Sequence, residues 1–387
     1  MSVDRAKLQS LRRRRGMTQQ DLADVSGVSK STIREIEQGQ RTSVRLETLR
    51  KLSVALRVRT STLRVTRDAE EADGDTNDLW GPVRRALAAQ PDQPDEPATN
   101  EGVASAYEAL KPLIDAHRYT DIAGILPQLL QDADTLTDVE GRAIRARLLS
   151  TTGWMLIQNR QFDIAEATLD RAIDSAIDQG SAVAAVNLLI WAHLRQGQLG
   201  KARDLAIRWA DDIEPRFSRA TVAQLALWGR LWLYVANAAV RDNAPGETED
   251  ALSLARAAAD RIGHEMVYDP NPNRTFGPVT VAQITGECAV IAEQPSRTLA
   301  IAETIPTTVL APMAAGRLRH HLDVANAHAQ LRQYPEAMAE LHALQDRAPQ
   351  WLKQQRYARD ILGGIISKRR TLTAEMREMA DAIQVAY

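Results

Sequence analysis

Apolar residues recur at helical spacing along most of this chain, and the alternation that marks a half-buried strand is not convincing anywhere. The stretch GMTQQDLADVSGVSKSTIREIEQG, residues 16–39, makes two short helices divided by a glycine. Thr18 and Asp21 have the spacing of a capping box, and Leu22 and Ala23 follow as inward positions. Gly27 supplies a turn residue free to adopt a left-handed backbone. Ser29 caps the next helix, Ile33 and Ile36 form its inner face, and Gly39 closes it. Leu8 and Leu11 before the pair, with Leu46, Leu49, Leu52 and Leu56 after it, complete a small core.

From about residue 101 amphipathic helices alternate with short breaks. Gly153, Phe162, Ala165, Leu169 and Ala172 fall at offsets 0, +9, +12, +16 and +19. A small residue there lets two antiparallel helices approach, an aromatic fills the turn, and a small residue on the second helix receives the first. Further copies read as Leu199, Ala202, Ala206 with Pro215, and as Tyr334, Ala337, Leu341 with Pro349. Looser ones centre on Tyr119, on Thr248 with Ala251, and on Pro295. With phase points at 119, 162, 199, 248, 295 and 334 the spacings are 43, 37, 49, 47 and 39, longer than a tetratricopeptide repeat. The end, YARDILGGIISKRRTLTAEMREMADAI, reads as a helix pair capping the array.

Two segments break the pattern between these parts. DAEEADGDTND (68–78) is acidic and turn-rich, and AAQPDQPDEPATN (88–100) places three prolines among acids. Between them LWGPVRRALAA makes one short helix, with Trp80 packing at a domain or dimer junction and Leu87 beside it. The expected division is a head at 1–66, a linker at 67–100 and a helical-repeat body at 101–387.

Charge sharpens this division. The chain has 48 Lys/Arg and 50 Asp/Glu, yet residues 1–67 hold 16 basic and 6 acidic residues, a net +10 against −12 for the rest. A basic head suits a polyanion that an acidic body repels. One cysteine, Cys288, precludes an internal disulfide and reads as a buried thiol of a cytoplasmic protein. No apolar run suggests a leader or a membrane span.

Ala23, Gly27 and Ile33 occupy positions 5, 9 and 15 of a helix-turn-helix pair, and residues 11–58 closely resemble the phage-repressor-like (XRE-type) helix-turn-helix family. That resemblance implies a five-helix domain whose second paired helix lies in the DNA major groove. It places Lys30, Ser31, Thr32 and Glu35 at base edges, with Glu35 alternatively paired to an arginine. Arg34 lies near the groove or the backbone, and Gln19 contacts phosphate or supports the readers. Arg41, Arg45 and the run Arg12 to Arg15 suit phosphates or simply face solvent. The whole chain is similar to actinobacterial XRE-tetratricopeptide regulators and, more distantly, to peptide-sensing quorum regulators of Gram-positive bacteria. The implied architecture is all-α, a five-helix head followed by a tetratricopeptide-like solenoid. The implied function is a homodimeric transcription regulator on a two-half-site operator of double-stranded DNA, sensing a peptide or small effector. A solenoid that recruits a protein partner to DNA, with no small effector, is the alternative.

In such a solenoid the first helix of each pair lines the inner surface. Candidate effector-binding residues there are Arg147, Trp154, Asn187, Trp191, Arg195, Gln283, Glu287 and Asn326, with Gln158, Arg319 and Gln330 nearby. Asn187, Trp191 and Arg195 step by four along one helix face, offering an amide, an apolar wall and a carboxylate-binding fork, or else ordinary core and solvated positions. Trp228 and Trp232 read as interhelix packing. The stretch GHEMVYDPNPNRTFGP (263–278) is either a lid or a joining insertion. HEMVY lacks the second histidine of a zinc-protease helix, and the seven histidines give no ligand cluster, so neither metal, cofactor nor enzymatic activity is expected.

Overall fold

The computed structural model describes residues 1–65, 79–89, 98–116, 118–267, 275–306, 315–369 and 371–386. Among them the chain forms twenty α-helices and one short antiparallel hairpin, so the fold is all-α in class. The head contains α1 (Arg5–Arg14), α2 (Gln19–Ser26), α3 (Lys30–Glu37) and α4 (Leu46–Ala55). Its fifth element is a single 3-10 turn, Thr60–Leu63, rather than a full helix. Backbone groups there bond outward, Thr60 N–H to the Asp242 carbonyl and the Leu63 carbonyl to Asp4 N–H, so no helical ladder propagates.

Helix α5 (Gly81–Ala88) starts behind Trp80 with a proline in its first turn. Trp80 and Val83 are buried in the first core cluster of the body, with Leu87 packed against it, which makes this segment part of the body's packing. The acidic segment 68–78 and the prolines at 91, 94 and 97 lie outside the described residues.

Six antiparallel pairs follow: α6 (Asn100–Asp115) with α7 (Tyr119–Asp134), α8 (Val139–Gln158) with α9 (Phe162–Asp174), and α10 (Gln179–Arg195) with α11 (Leu199–Asp212). Then come α12 (Val222–Arg241) with α13 (Pro245–Ile262), α14 (Pro278–Ile291) with α15 (Pro295–Glu303), and α16 (Ala315–Gln330) with α17 (Tyr334–Arg347). Helices α18 (Pro349–Gln354), α19 (Arg356–Ile366) and α20 (Ala374–Ile383) close the array around one last core cluster.

One backbone turn recurs in every pair. The N–H preceding the second helix donates to the carbonyl five residues back: Arg118 to Leu113, Gln161 to Leu156, Gln198 to His193, Ala244 to Ala239, Gln294 to Ala289 and Gln333 to His328, all at 2.8–2.9 Å. In five of them the preceding residue is left-handed: Arg160, Gly197, Asn243, Glu293 and Arg332. Five phase points read from the sequence are therefore first residues of second helices. The fourth shifts from Thr248 to Pro245, because a proline at the first helical position starts that helix three residues earlier. Gly153 also does what its spacing required, since a Cβ there would meet the Leu169 side chain at 2.6 Å.

First helices pack directly on their successors, α6 on α8, α8 on α10, and so on to α14 on α16. Successive second helices make no comparable contact, so the first helices form the continuous inner layer of the array.

Strands β1 (Met266–Val267) and β2 (Thr275–Phe276) pair antiparallel inside the long non-helical stretch. The Glu265 carboxylate accepts from Val279 N–H at 2.9 Å and Thr280 N–H at 3.1 Å, satisfying the first turn of α14. Phe276 is fully buried, and a Cβ on Gly229 would meet its ring at 2.2 Å. Both described ends of this segment are thus fixed to the core, while 268–274, where a lid would lie, fall outside the described residues. Gly229→Ala is expected to cost about 1–3 kcal/mol, because the buried ring cannot withdraw. Gly200, on α11 with open space around it, gives the control: Gly200→Ala should be neutral or stabilising by up to ~1 kcal/mol in urea unfolding.

Candidate DNA-reading face and inner polar cluster

The local chemistry of the head follows its sequence. Thr18 Oγ1 accepts from Asp21 N–H at 3.1 Å, and the Asp21 carboxylate accepts from Thr18 N–H at 2.8 Å, closing the capping box. Gly27 ends α2 at φ 69°, and Ser29 caps α3 by accepting from Thr32 N–H. Leu8, Leu22, Ala23, Ile33, Ile36, Leu49, Leu52 and Leu56 form the small core with Leu11 at its edge. Leu46 does not join them and packs against the body's second core cluster.

Lys30, Ser31 and Arg34 stand exposed on α3, the reading positions expected of the second helix. Thr32 is half-buried, and its hydroxyl lies 2.8 Å from the capping Ser29 hydroxyl. Glu35 is paired with Arg41 at 2.9 Å, which realises the alternative reading of Glu35 and occupies an expected phosphate contact. Arg45 forms an ion pair with Asp360 of α19 at 2.8 Å, a surface contact of small energy.

The arginine run divides. Arg13, Arg14 and Arg15 are exposed, whereas Arg12 is buried. Its guanidinium donates to both Glu37 carboxylate oxygens, at 2.7 and 2.8 Å, and to the Met17 carbonyl at 2.8 Å. Gln19 donates to the same carboxylate at 2.8 Å. Burial alone would raise the Glu37 carboxyl, but the bonds from Arg12 and Gln19 outweigh it and hold it below its usual range. Arg12 and Gln19 therefore brace α1 and α2 against α3, and Arg12 is not disposed toward phosphate.

The head docks on the body through the side opposite α3. Asp242, one residue past α12, accepts from Ser61 N–H at 2.8 Å and pairs with Arg59, while its own carbonyl accepts from Thr60 N–H. Asn243 donates to the Val58 carbonyl, and Arg64 to the Gly197 carbonyl. Arg50, buried on α4, donates to the Val240 carbonyl at 3.1 Å. Burial pushes its pKa down, opposed by the charge of Glu293. The electronegative end of α12 is a favourable place for that cation. Nothing in the sequence pattern marked Arg50 or Asp242, because their partners lie about 190 residues away.

On the inner layer the next residue of the same helix end, Arg241, donates to Glu287 at 2.6 Å, and Arg319 reaches the same oxygen at 3.4 Å. Burial would raise Glu287, but Arg241 and Arg319 outweigh it and hold it low. Arg319 also lies 4.3 Å over the Tyr357 ring, and Asn326 donates to the Tyr357 hydroxyl at 2.9 Å. Arg195 stacks on Trp191 at 5.4 Å. Burial, then the positive charges of Arg319, Arg160 and Arg241, push its pKa down to about 9. Asn187 is 1% exposed, and neither its amide nitrogen nor its oxygen has a partner among the described residues.

Of the expected effector residues, Asn187, Trp191, Arg195, Glu287 and Asn326 thus meet on one face. Arg147 is exposed and stands apart from them, while Gln283 is buried beside Gly316. Trp154 is corrected to a core residue, because it is enclosed between pairs in the first hydrophobic cluster. Trp228 and Trp232 pack edge to face at 5.9 Å, as interhelix packing requires. Sequence reasoning missed Arg241, Asp323 and Tyr357. The four-residue step from Arg319 to Asp323 was a usable signal, whereas Tyr357 comes from a helix after the repeats.

Residues 8–63 match the helix-turn-helix family HTH_3. No curated protein matches the chain. With the caps, the glycine turn and the exposed α3 face, that match supports a DNA-binding transcription regulator. No helix among the described residues is long and apolar enough to cross a membrane.

Arg12→Ala is expected to cost about 3–5 kcal/mol by leaving Glu37 buried and unpaired, whereas Arg13→Ala should stay within about 0.5 kcal/mol in denaturant unfolding. Asp323 supplies a pH test. Burial, with Glu287 adding and Arg319 opposing, pushes its carboxyl up to about 7. An unfolded aspartate titrates near ~3.9, so between these values the unfolded chain has lost a proton that the folded chain keeps. Stability from this group falls as pH rises from about 4 to about 7 and is level above. Asp323→Asn should therefore gain stability relative to the parent across that window, and a pH-independent difference in thermal midpoints would contradict it.

Proposed function

We propose that this chain is a sequence-specific, homodimeric regulator of transcription that binds a two-half-site operator and adjusts that binding to an effector on its inner face. The observation that carries the reading is the placement of the head. It is anchored through α4 and the 3-10 turn to the end of α12, and Lys30, Ser31 and Arg34 remain exposed. In this reading α3 enters the major groove, with Lys30, Ser31, Thr32 and Glu35 toward base edges. Arg13 and Arg14 reach phosphates, and Arg41 does so by leaving Glu35. Two heads are needed because one reads few base pairs, and a two-fold protein matches a two-fold site.

The proposed division assigns residues 1–66 to DNA and 101–387 to dimerisation and sensing, with α5 seated on the body. Communication runs through one helical turn. Asp242 and Asn243 hold the head, and Arg241 beside them is held by Glu287 on the inner face. A ligand that competes for Arg241 shifts the population of head positions competent for the operator.

Gel shifts on DNA from the protein's own promoter region, across salt concentrations, test the regulator reading. The parent should bind selectively and weaken steeply with salt. Lys30→Ala should lose about 1–3 kcal/mol of discrimination, and Arg13→Ala should weaken all sequences alike and lower the salt slope by about 1. Sequence-blind, salt-insensitive binding would refute it.

A further inference from the structure

We propose that the inner face binds a small ligand through an oxyanion, a carboxylate or phosphate, held by Arg195 together with Arg241 and Arg319. The inference rests on the sensing function above and assigns the chemistry of its ligand.

Arg195 makes no ion pair or hydrogen bond among the described residues, and only the Trp191 ring lies against it. Its electrostatic neighbours are other arginines: Arg319, Arg160 and Arg241. Arg230 adds its charge at Glu287, next to those of Arg241 and Arg319. Five guanidinium groups therefore surround two carboxylates, Glu287 and Asp323. Glu287 is already claimed by Arg241 and Arg319. Asp323 is buried and one of its oxygens has no hydrogen-bond partner, so it carries less negative charge than a solvated carboxylate.

An unbalanced cluster of this kind costs folding energy and is not explained by packing. A guanidinium fork complements the oxygens of carboxylate and phosphate, which lowers that cost when the ligand is bound. A cationic ligand would be repelled, and a neutral one would leave Arg195 uncompensated. Asn187 supplies the independent observation. It lies two turns before Arg195 on α10, and its buried amide lacks both a donor and an acceptor partner. A ligand whose oxyanion sits at Arg195 and whose polar body extends along α10 satisfies both, with the Trp191 ring as a wall between them. The site is open to solvent, since the Arg319 side chain is 33% exposed.

The test uses the full chain with inorganic phosphate and citrate as probes, against chloride at equal ionic strength, read by titration calorimetry and thermal midpoint. Phosphate or citrate should bind and raise the midpoint where chloride does not. A preference for phosphate identifies a phosphate ester as the source, and a preference for citrate identifies a carboxylate. Arg195→Gln should weaken binding roughly tenfold or more while leaving the unliganded midpoint equal or higher. Arg195→Lys, which keeps the charge but loses the fork, should weaken it less. Arg297→Gln, an exposed arginine paired with Glu249 away from the cluster, should change nothing. Equal response to chloride, or binding indifferent to Arg195→Gln, overturns the proposal. Binding that depends on Arg195 without altering operator affinity leaves the oxyanion site standing and refutes sensing. No oxyanion binding, with Asn187→Ala still altering regulation in cells, refutes the oxyanion and leaves sensing standing.

Discussion

The end of α12 is the constraint on which the arrangement of this protein depends. Its last carbonyls and the turn beyond it are needed in three directions at once. The Ala239 carbonyl closes the pair turn with Ala244, the Val240 carbonyl takes Arg50 from the head, and Arg241 reaches across to Glu287. Asp242 then fixes the 3-10 turn of the head through backbone and side chain together. A helix C-terminus has orphan carbonyls and a negative field, so it attracts cations, and two arginines use it from opposite sides. The same few residues therefore belong to the repeat, to the head interface and to the inner face.

Arginine illustrates how far context overrides residue type. Arg12 stands in a run of four identical side chains, yet it alone is buried, because the Glu37 carboxylate and the Met17 carbonyl meet it with complementary geometry. Arg13 and Arg14 remain in water, suited to a mobile polyanion contact. Arg50 is buried against carbonyls, and Arg195 against other arginines. Pairing turns a buried cation into a brace, and lack of pairing makes it a receptor for negative charge.

Much of the local structure was legible in advance. The Thr18–Asp21 box, the Gly27 turn and the Ser29 cap are interactions over three or four residues, so their spacing in the chain is their geometry. The pair turns were legible for the same reason, and Phe162, Leu199, Pro295 and Tyr334 each begin a second helix. Thr248 was misplaced by three residues, since small residues recur through α13 and only Pro245 marks its start. Leu46 and Trp154 show the corresponding weakness of apolar patterning. Periodicity says that a side chain is buried, and it does not say against which neighbour.

What the sequence alone determined was therefore the set of helices, their caps, their pairing in register, and the separation of a basic head from an acidic body. These depend on contacts between near neighbours and on composition. Only the tertiary structure decided that the head sits on the end of α12, that α5 belongs to the body, and that arginines from several helices converge without enough acids. Each of those facts joins residues far apart in the chain, Arg50 with Val240 or Arg319 with Tyr357 from a helix beyond the repeats. The stacking of pairs sets such distances, and no local spacing encodes them.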